Sequence, residues 1–308
     1  MGEKTDKEHE MMKEWVLVAN AKFYYKEFLK SVMSDNVEKL NDNLRHTCKI
    51  LDDVVLKSKA SDFQKKLLPG EQYYRARIIR AADYDKPETG IGISEHGLFA
   101  GYNEDNSREP ILGVAGHGRN NVAGVSYLYI ASDPMTACME VKSQFGDLIS
   151  LATFETASEL NIIDFSTDKS FEREFSELHN LSMGHFFTYL MSHYFLPVKN
   201  DQEYPVTQLI SDYLRKTGID GIAYQSTLSP GGINYTIFNS HHSKIKFYCS
   251  KILLHKQANH SFWDWNEEKT IFSNPEGVMM NYDTEIANRQ KEILKATFKT
   301  VLPHNDKS

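Results

Sequence analysis

The stretch of residues 116–141 constrains the fold of this chain more than any other, because three structural signals follow one another in it without a gap. It begins with the glycine-rich residues 116–124, which favour a turn. Residues 125–131 are apolar and rich in aromatic and β-branched side chains, as is typical of a buried strand. Ser132-Asp133-Pro134 then provides a side-chain oxygen for a helix cap and a proline for the first helical position. We therefore predict a turn, a buried strand and a capped helix in direct succession.

Polar side chains are attached to this apolar stretch. Glu140 lies on the predicted helix among apolar neighbours: Ala137, Cys138, Met139 and Val141. A carboxylate in such surroundings is costly unless it is paired or used. The preceding turn adds one cation, Arg119, and two amides, Asn120 and Asn121. We therefore regard the stretch as a candidate functional site, while a structural ion pair of Glu140 is the alternative.

Composition limits the class of protein. The 308 residues are 41% hydrophobic and 25% charged, as in a soluble globular protein, and can form one large domain or two ordinary ones. The net charge of −7 argues against a broad nucleic-acid-binding surface. The three cysteines show no metal or disulfide spacing. We expect a cytoplasmic protein, because no signal peptide is evident and no apolar run approaches the ~18 residues that span a membrane.

The periodicity of apolar residues predicts the elements along the chain. Helical spacing predicts helices within residues 8–67, 168–195, 205–218 and 284–298. Alternation and β-branched runs predict strands within residues 71–80, 125–131, 148–154, 160–165, 219–226, 234–239 and 244–254. Residues 81–115 read as a long loop, and residues 229–232 as a tight turn. Because strands and helices do not alternate regularly, we predict an α+β fold around a curved, mainly antiparallel sheet.

Two arginines share one face of the predicted strand at residues 71–80. Arg75 and Arg77 are two residues apart, so their side chains point the same way. They could form a solvated edge, or they could clamp an anion, because guanidinium groups match phosphate geometry. The strand pattern leaves both interpretations open.

Several familiar catalytic signals are absent from the sequence. The glycines near residue 116 match neither a phosphate loop nor the dinucleotide-binding pattern, and no nucleophile elbow occurs. The histidines His241, His242, His255 and His260 have no metal-ligand spacing, and we interpret them as surface or packing residues. We therefore predict no metal site.

The order of the remaining polar motifs resembles the RES-domain family, named for an arginine, a glutamate and a serine. The matching motifs are a tyrosine–arginine strand at residues 74–77, Gly-Arg-x-Asn at 118–121 with a glycine at 124, Leu-Tyr at 128–129, Thr-Ala-x-x-Glu at 136–140, Thr-Gln at 207–208 with a tyrosine at 213, Gly-x-x-Tyr-x-Ser at 221–226 and Gly-x-Asn at 232–234. The chain departs from compact members by its N-terminal helical region, its long insertion before Gly118 and its C-terminal extension. The residue after the first arginine, often aromatic in the family, is Ala76.

The extent of the matching motifs predicts the domain organisation. We predict a helical region at residues 1–68, a RES domain at 69–250 and an extension at 251–308.

The resemblance implies a fold like that of the ADP-ribosyltransferase toxins and an enzyme that degrades NAD. Members of the family are toxins of toxin–antitoxin modules, cleaving NAD by hydrolysis or phosphorolysis, and one branch transfers ADP-ribose to a protein. The resemblance implies catalytic roles for Glu140, Arg75 and Ser226. It implies substrate-binding roles for Arg77, Arg119, Asn121, Tyr129 and Asn234.

The chemistry of NAD cleavage suits these residue types. Arginines match the two phosphates of NAD, and a carboxylate stabilises the sugar cation that forms as nicotinamide leaves. Tyr129 can stack on nicotinamide, while Ser226 and Asn234 can hydrogen-bond the carboxamide or the ribose. NAD is then a substrate, and no cofactor is expected.

Three functions follow as hypotheses. The first is an NAD-degrading toxin or defence effector, the second a transferase that ADP-ribosylates a protein or nucleic acid, and the third a non-catalytic nucleotide-binding module. The partners expected with the first are NAD, inorganic phosphate and an antitoxin or activating protein. We also expect a homo-oligomer, and neither a membrane nor nucleic acid as a binding partner. The helical N-terminal region is expected to be either a helical cap or an oligomerisation element.

Overall fold

The computed structural model describes residues 64–93, 97–166, 204–257, 261–264 and 269–272, together with Lys26 and Lys30, which are helical. The helices predicted at residues 168–195 and 284–298 lie outside the described residues, as does most of the predicted N-terminal helical run. Among the described residues, no helix is long and apolar enough to cross a membrane.

The elements follow in this order. The strands are β1 (Gln64–Leu67), β2 (Gln72–Ile78), β3 (Gly92–Ile93), β4 (Phe99–Ala100), β5 (Leu128–Ala131), β6 (Leu148–Thr156), β7 (Leu160–Asp164), β8 (Gly221–Gln225), β9 (Ile233–Ile237), β10 (Ile245–Gln257), β11 (Ser261–Asp264) and β12 (Lys269–Phe272). The helices with described bounds are α1 (Glu104–Ser107), α2 (Pro134–Glu140) and α3 (Pro205–Lys216).

The chain divides into two compact units. The first unit comprises residues 1–66, 116–125 and 161–227, and the second unit comprises residues 67–115, 126–160 and 228–308. The domains predicted from the sequence, residues 1–68, 69–250 and 251–308, are continuous segments of the chain, whereas each compact unit combines several segments. The predicted domain boundaries stay a prediction.

The first unit contains neighbouring strands and the helix α3. The strands follow the order β1-β7-β8, and β7 pairs with β8 in parallel, with Ile162 opposite Gly221. The helix predicted from residue 205 is confirmed as α3, which has Pro205 at its first position and buries the stripe of Val206, Ile210 and Leu214.

The helical prediction is wrong at residues 64–67, which form β1. Its residues are alternately more and less exposed, ending at the fully buried Leu67. This period of two belongs to a strand, and pairing with a neighbouring strand overrides the helical propensity of glutamine and lysine.

The second unit is built on a large antiparallel sheet in the order β9-β5-β2-β6-β10-β11-β12. Its described pairings are all antiparallel, with Arg75 of β2 opposite Ala152 of β6 and Tyr129 of β5 opposite Thr236 of β9. The prediction of an α+β fold with a mainly antiparallel sheet is therefore confirmed.

Different parts of the second unit cover the two faces of this sheet. On one face, here called the helix face, apolar residues of β2, β5, β6 and β10 pack against α2: Ala76, Ala131, Ile149, Leu151 and Leu253 meet Ala137 and Cys138. On the opposite face, here called the segment face, Leu148, Ile252 and Leu254 pack with residues of the 81–115 segment: Ile91, Phe99 and Tyr102. That segment was predicted as a loop, but it contains α1, the β3–β4 hairpin and two 3-10 turns, which are too short to show a period.

The strand predicted over residues 125–131 begins only at Leu128. The side-chain amide of Asn121 donates to the Val125 carbonyl at 2.8 Å, and the Val125 N–H donates to the Val122 carbonyl at 3.1 Å. These bonds extend the glycine-rich turn at the expense of the strand.

Candidate functional site

The helix α2 begins as the sequence predicts. Asp133 is the N-cap, its carboxylate accepts from the Thr136 N–H at 2.8 Å, and Pro134 follows at the first helical position. The hydroxyls of Ser132 and Thr136 also donate to this carboxylate, at 2.8 and 2.6 Å. Burial raises the pKa of Asp133, but these hydrogen bonds outweigh it and leave the pKa below its ordinary value. The ionised cap fixes the start of the helix that ends at Glu140.

Glu140 is exposed at the last position of α2. The Asn234 side-chain amide, from β9, donates to the Glu140 Oε1 atom at 2.7 Å. Asn234 itself is 7% exposed, so a buried amide holds an accessible carboxylate. The expectation that apolar side chains enclose Glu140 is therefore wrong, because its apolar neighbours in sequence, Ala137 and Cys138, point into the core instead. The carboxylate is fixed in place yet open to solvent.

The position of Asn234 depends on a close contact between α2 and the chain just before β9. A Cβ atom built on Gly232 would lie 2.0 Å from the Thr136 Oγ1 atom, so only glycine fits there. Thr136 is fully buried, and its hydroxyl lies 3.1 Å from the Ser229 hydroxyl. The Ser132 N–H donates to the Ile233 carbonyl at 2.8 Å. The Gly-x-Asn motif thus brings the amide of Asn234 to the carboxylate of Glu140.

Tyr129 shares a face of the sheet with Asn234. Ala131 lies opposite Tyr74 of β2 and opposite Asn234 of β9, so these three residues form one row across the sheet. Tyr129 is two residues before Ala131 and therefore points to the same side. Since Ala131 packs with α2, the half-buried Tyr129 is on the helix face, as is the Glu140–Asn234 pair.

Arg75 lies on β2 next to the position where this strand pairs with β5. The register of the two strands places Tyr74 opposite Ala131. The Arg75 Nη1 atom donates to the Tyr129 carbonyl at 3.1 Å. Burial, followed by the charge of Arg77, lowers the pKa of Arg75 to about 10. The Arg75 Nε atom is buried and has no hydrogen-bond partner among the described residues. A buried N–H without a partner is unusual in a folded protein.

Arg77 has different partners, although it is only two residues away. It is exposed, its Nη1 atom donates to the Asn106 carbonyl, and its guanidinium carbon lies 5.0 Å from the centre of the Tyr102 ring. Both partners belong to the 81–115 segment. The structure therefore uses Arg77 to hold that segment on the sheet.

The first unit contains the other predicted site residues. The Arg119 guanidinium carbon lies 5.7 Å from the centre of the Tyr224 ring. The Asn121 side-chain amide donates to three carbonyls of its own turn, those of Gly116, Val122 and Val125. Ser226 follows β8 and is 6% exposed. Asn121 thus shapes the turn, whereas Arg119 is half-buried with its guanidinium against an aromatic ring.

The Thr-Gln motif on α3 holds the turn that carries Arg119. The Thr207 hydroxyl donates to the Arg119 carbonyl, and the Gln208 amide donates to the carbonyls of Gly118 and Asn121 at 2.8 and 2.9 Å. Asn120, which is 1% exposed, accepts from the Ser211 hydroxyl at 3.1 Å. These residues therefore position Arg119 by fixing its backbone.

The structure brings together only some of the predicted residues. Glu140, Asn234 and Tyr129 are on the helix face of the second unit. Arg75 lies one residue from Ala76 along β2, so its side chain leaves the strand on the opposite, segment face.

Sequence reasoning missed Arg108, which is 9% exposed and binds the carbonyls of Ser240 and Ile245. The sequence carries no signal for the burial of Arg108, because the two carbonyls that it binds are more than 130 residues away. Among the described residues, no group of His, Cys, Asp and Glu could hold a metal ion.

The antiparallel α+β architecture and the motif residues define the class of protein. A family model of the RES domain matches residues 100–255, which is just over half of the chain. The protein therefore belongs to the RES-domain family.

Comparison with individual proteins adds little to this assignment. The chain has no match among curated proteins. It is similar to one chain in the crystal structure of the M. tuberculosis MbcT-MbcA toxin-antitoxin complex, with a TM-score of 0.36 and 12% sequence identity over 68% of this chain and 92% of the other. A likeness at this level does not establish a shared function.

Proposed function

We propose that this protein degrades NAD by cleaving the bond between nicotinamide and ribose, and that it acts as a toxin or defence effector. The observation that carries the proposal is the exposed Glu140 carboxylate, held by Asn234 at 2.7 Å at the end of a capped helix. Membership of the RES-domain family supports it, because the family resemblance implies NAD as the substrate. Hydrolysis and phosphorolysis both fit this arrangement.

The proposed reaction breaks the bond between the nicotinamide nitrogen and the ribose carbon. Nicotinamide leaves with the bonding electron pair, and the sugar develops the character of an oxocarbenium cation. Glu140 stabilises that cation, and an oxygen of water or phosphate then forms the new bond to carbon, with water losing a proton. The products are nicotinamide and either ADP-ribose or its phosphate ester. Asn234 contributes by keeping the carboxylate in one position, so that little reorganisation is needed during the reaction.

Tyr129 and Arg75 are assigned to substrate binding in this proposal. Tyr129 lies on the helix face with Glu140 and stacks on nicotinamide. Arg75 is assigned to an anionic group of NAD because the family resemblance implies it, and its guanidinium lies beside the Tyr129 carbonyl of β5. Between the two strand arginines we choose Arg75, since Arg77 is occupied by the Asn106 carbonyl and the Tyr102 ring. The roles of Arg119, Asn121 and Ser226 in binding or catalysis rest on the family resemblance alone.

The proposed function is tested by incubating the purified full-length protein with NAD, with and without inorganic phosphate, and identifying the products by chromatography and mass spectrometry. Nicotinamide with ADP-ribose indicates hydrolysis, and nicotinamide with a phosphate ester that forms only in added phosphate indicates phosphorolysis. A Glu140→Gln variant purified in the same way controls for contaminating enzymes.

Two outcomes would contradict NAD degradation. Transfer of labelled ADP-ribose to a protein or nucleic acid, without free ADP-ribose products, would identify a transferase. Tight NAD binding without any turnover would identify a non-catalytic binding module. Expression of the active protein in growing cells should deplete NAD and stop growth, and an antitoxin would be recognised by its ability to prevent this.

A further inference from the structure

The turn that follows Glu140 forms hydrogen bonds with His255 of β10. Residues 141–147 form this turn, and within it Lys142 has a φ of 51°, a left-handed value that non-glycine residues adopt only when their surroundings require it. The chain reverses here from the end of α2 into β6. What holds the turn therefore also sets the position of the last residue of the helix.

His255 makes three connections to this turn. Its Nδ1 atom lies 3.0 Å from the Ser143 hydroxyl oxygen. Its backbone N–H donates to the Asp147 carbonyl at 2.9 Å, and its carbonyl accepts from the Gly146 N–H at 2.8 Å. A fourth bond closes the turn on itself, since the Gln144 N–H donates to the Asp147 carboxylate at 2.7 Å.

The Ser143–His255 pair is buried, which decides how it can act. His255 is 2% exposed and Ser143 is 8% exposed. A serine and a histidine in contact are the elements of a nucleophilic pair, but a substrate cannot reach atoms that are this deeply buried. A hydrogen bond between buried side chains instead restricts the geometry, because a buried hydrogen bond is costly to break.

We propose that Ser143 and His255 are positioning residues for Glu140, an inference that rests on the proposed NAD-cleaving function. The helix α2 has seven residues, and its start is fixed by Asp133 and by the contact of Thr136 with Ser229. Asn234 holds the Glu140 carboxylate, while the anchored turn holds the backbone immediately after it. With the turn loosened, the carboxylate would still bind Asn234 but would sample positions from which it stabilises the sugar cation less well.

The test compares kcat and KM for NAD in Ser143→Ala, Ser143→Thr and a matched control, Ser250→Ala. Ser250 is a half-buried serine whose hydroxyl donates to the Tyr102 carbonyl at 2.6 Å, but that bond fixes the 81–115 segment and not α2. We expect Ser143→Ala to lower kcat about tenfold with KM within about twofold. Ser143→Thr, which keeps the hydroxyl, should recover most of kcat, and Ser250→Ala should match the parent.

A double-mutant cycle with Glu140→Gln separates positioning from a general loss of structure. If Ser143 acts through Glu140, Ser143→Ala should lower the residual kcat of the Glu140→Gln variant by less than about twofold. An equal tenfold loss in both backgrounds would overturn the proposal, as would a Ser143→Ala variant with the parental kcat. Should Ser143→Ala not fold, Ser143→Cys takes its place, because a thiol is a weak hydrogen-bond donor. If the parental protein turns over no NAD, the proposed NAD-cleaving function is itself wrong.

Discussion

The two faces of the sheet in the second unit use their polar side chains in different ways. On the segment face, Arg77, Tyr102 and Arg108 are occupied by backbone carbonyls and neighbouring side chains. At the helix face, the exposed carboxylate of Glu140 is held by the Asn234 amide. Between β2 and β5, the guanidinium of Arg75 donates to the Tyr129 carbonyl. An accessible carboxylate held by a buried amide marks the candidate site, whereas side chains that join the 81–115 segment to the sheet mark the scaffold.

The pair Arg75 and Arg77 shows this contrast most directly. Both side chains leave β2 on the same side, so neither residue type nor spacing separates them. Only their surroundings differ, since the Arg75 guanidinium binds the Tyr129 carbonyl of β5 and the Arg77 guanidinium holds the 81–115 segment. Substitutions at the site should therefore change catalysis or affinity, whereas substitutions in the scaffold should change stability.

The largest effect is expected from Glu140→Gln. The substitution keeps the shape of the side chain but removes the charge that stabilises the sugar cation, which should raise the barrier by about 3–4 kcal/mol, or lower kcat about a hundredfold to a thousandfold. Because the ground-state sugar carries less positive charge at the site, NAD affinity should change far less. Initial rates of nicotinamide release measure the effect.

The matched control for Glu140→Gln is Glu88→Gln, at an exposed glutamate of the 81–115 segment. Glu88→Gln should keep the parental rate. A folded Glu140→Gln variant with the parental kcat would show that this carboxylate does not take part in the reaction. The helix face would then not carry the catalytic group, and the two faces would not differ in the way described.

Arg108→Leu should have the largest effect on stability. Arg108 is buried, pairs with Glu104 at 2.8 Å and donates to the carbonyls of Ser240 and Ile245. Removing it leaves these buried carbonyls without a donor, which should lower the free energy of unfolding by about 2–3 kcal/mol. Urea denaturation measures the loss, and Arg80→Leu at an exposed arginine should stay within about 0.5 kcal/mol of the parent. The folded Arg108→Leu protein should still release nicotinamide at the parental rate, and a loss of turnover without a loss of stability would contradict its role as scaffold.

The strand arginines provide a matched pair of substitutions. Arg75→Gln removes a charged donor beside the Tyr129 carbonyl of β5, and we expect KM for NAD to rise about tenfold, corresponding to about 1.4 kcal/mol. Arg77→Gln should leave KM within about twofold and lower the free energy of unfolding by about 1 kcal/mol, through loss of its contacts with Asn106 and Tyr102. Equal effects of the two variants on KM would show that both arginines form an anion clamp, the alternative that the strand pattern leaves open.

Local signals in the sequence predict much of this architecture. The cap at Asp133, the helix from Pro205 and the tight turn at residues 229–232 depend on residues close together in the chain, and the structure contains all three. The strand at residues 64–67 and the late start of β5 depend on partners far away or on side-chain bonds that compete with pairing. Local sequence has no access to such contacts.

The same distinction explains the limits of the site prediction. Thr136 and Gly232 belong to two separate motifs of the sequence, and only the structure shows that they touch and thereby place Asn234 beside Glu140. The exposure of Glu140 was not predictable, because it depends on the direction in which the end of α2 leaves the core. The buried Ser143–His255 contact joins residues 112 positions apart, and neither residue belongs to a recognised motif.

The smallest effect is expected from Tyr102→Phe, which tests the scaffold through its pH dependence. The Tyr102 hydroxyl donates to the Asp83 carboxylate at 2.8 Å, and this hydrogen bond holds the pKa of Asp83 below its ordinary value of 3.8. Since the folded-state pKa of Asp83 is lowered, its ionised form stabilises the fold at pH above 3.8, and that contribution is lost as the pH falls through the lower folded-state value. At neutral pH Tyr102→Phe should lower the free energy of unfolding by about 0.5–1 kcal/mol.

Thermal melting from pH 7 downwards measures this effect. The difference in melting temperature between the variant and the parent should shrink once Asp83 is protonated. In an Asp83→Asn background that pH dependence should disappear. A difference that stayed constant across this range would mean that the tyrosine hydroxyl acts through another group, and a fall in NAD turnover would place Tyr102 in the site instead of the scaffold.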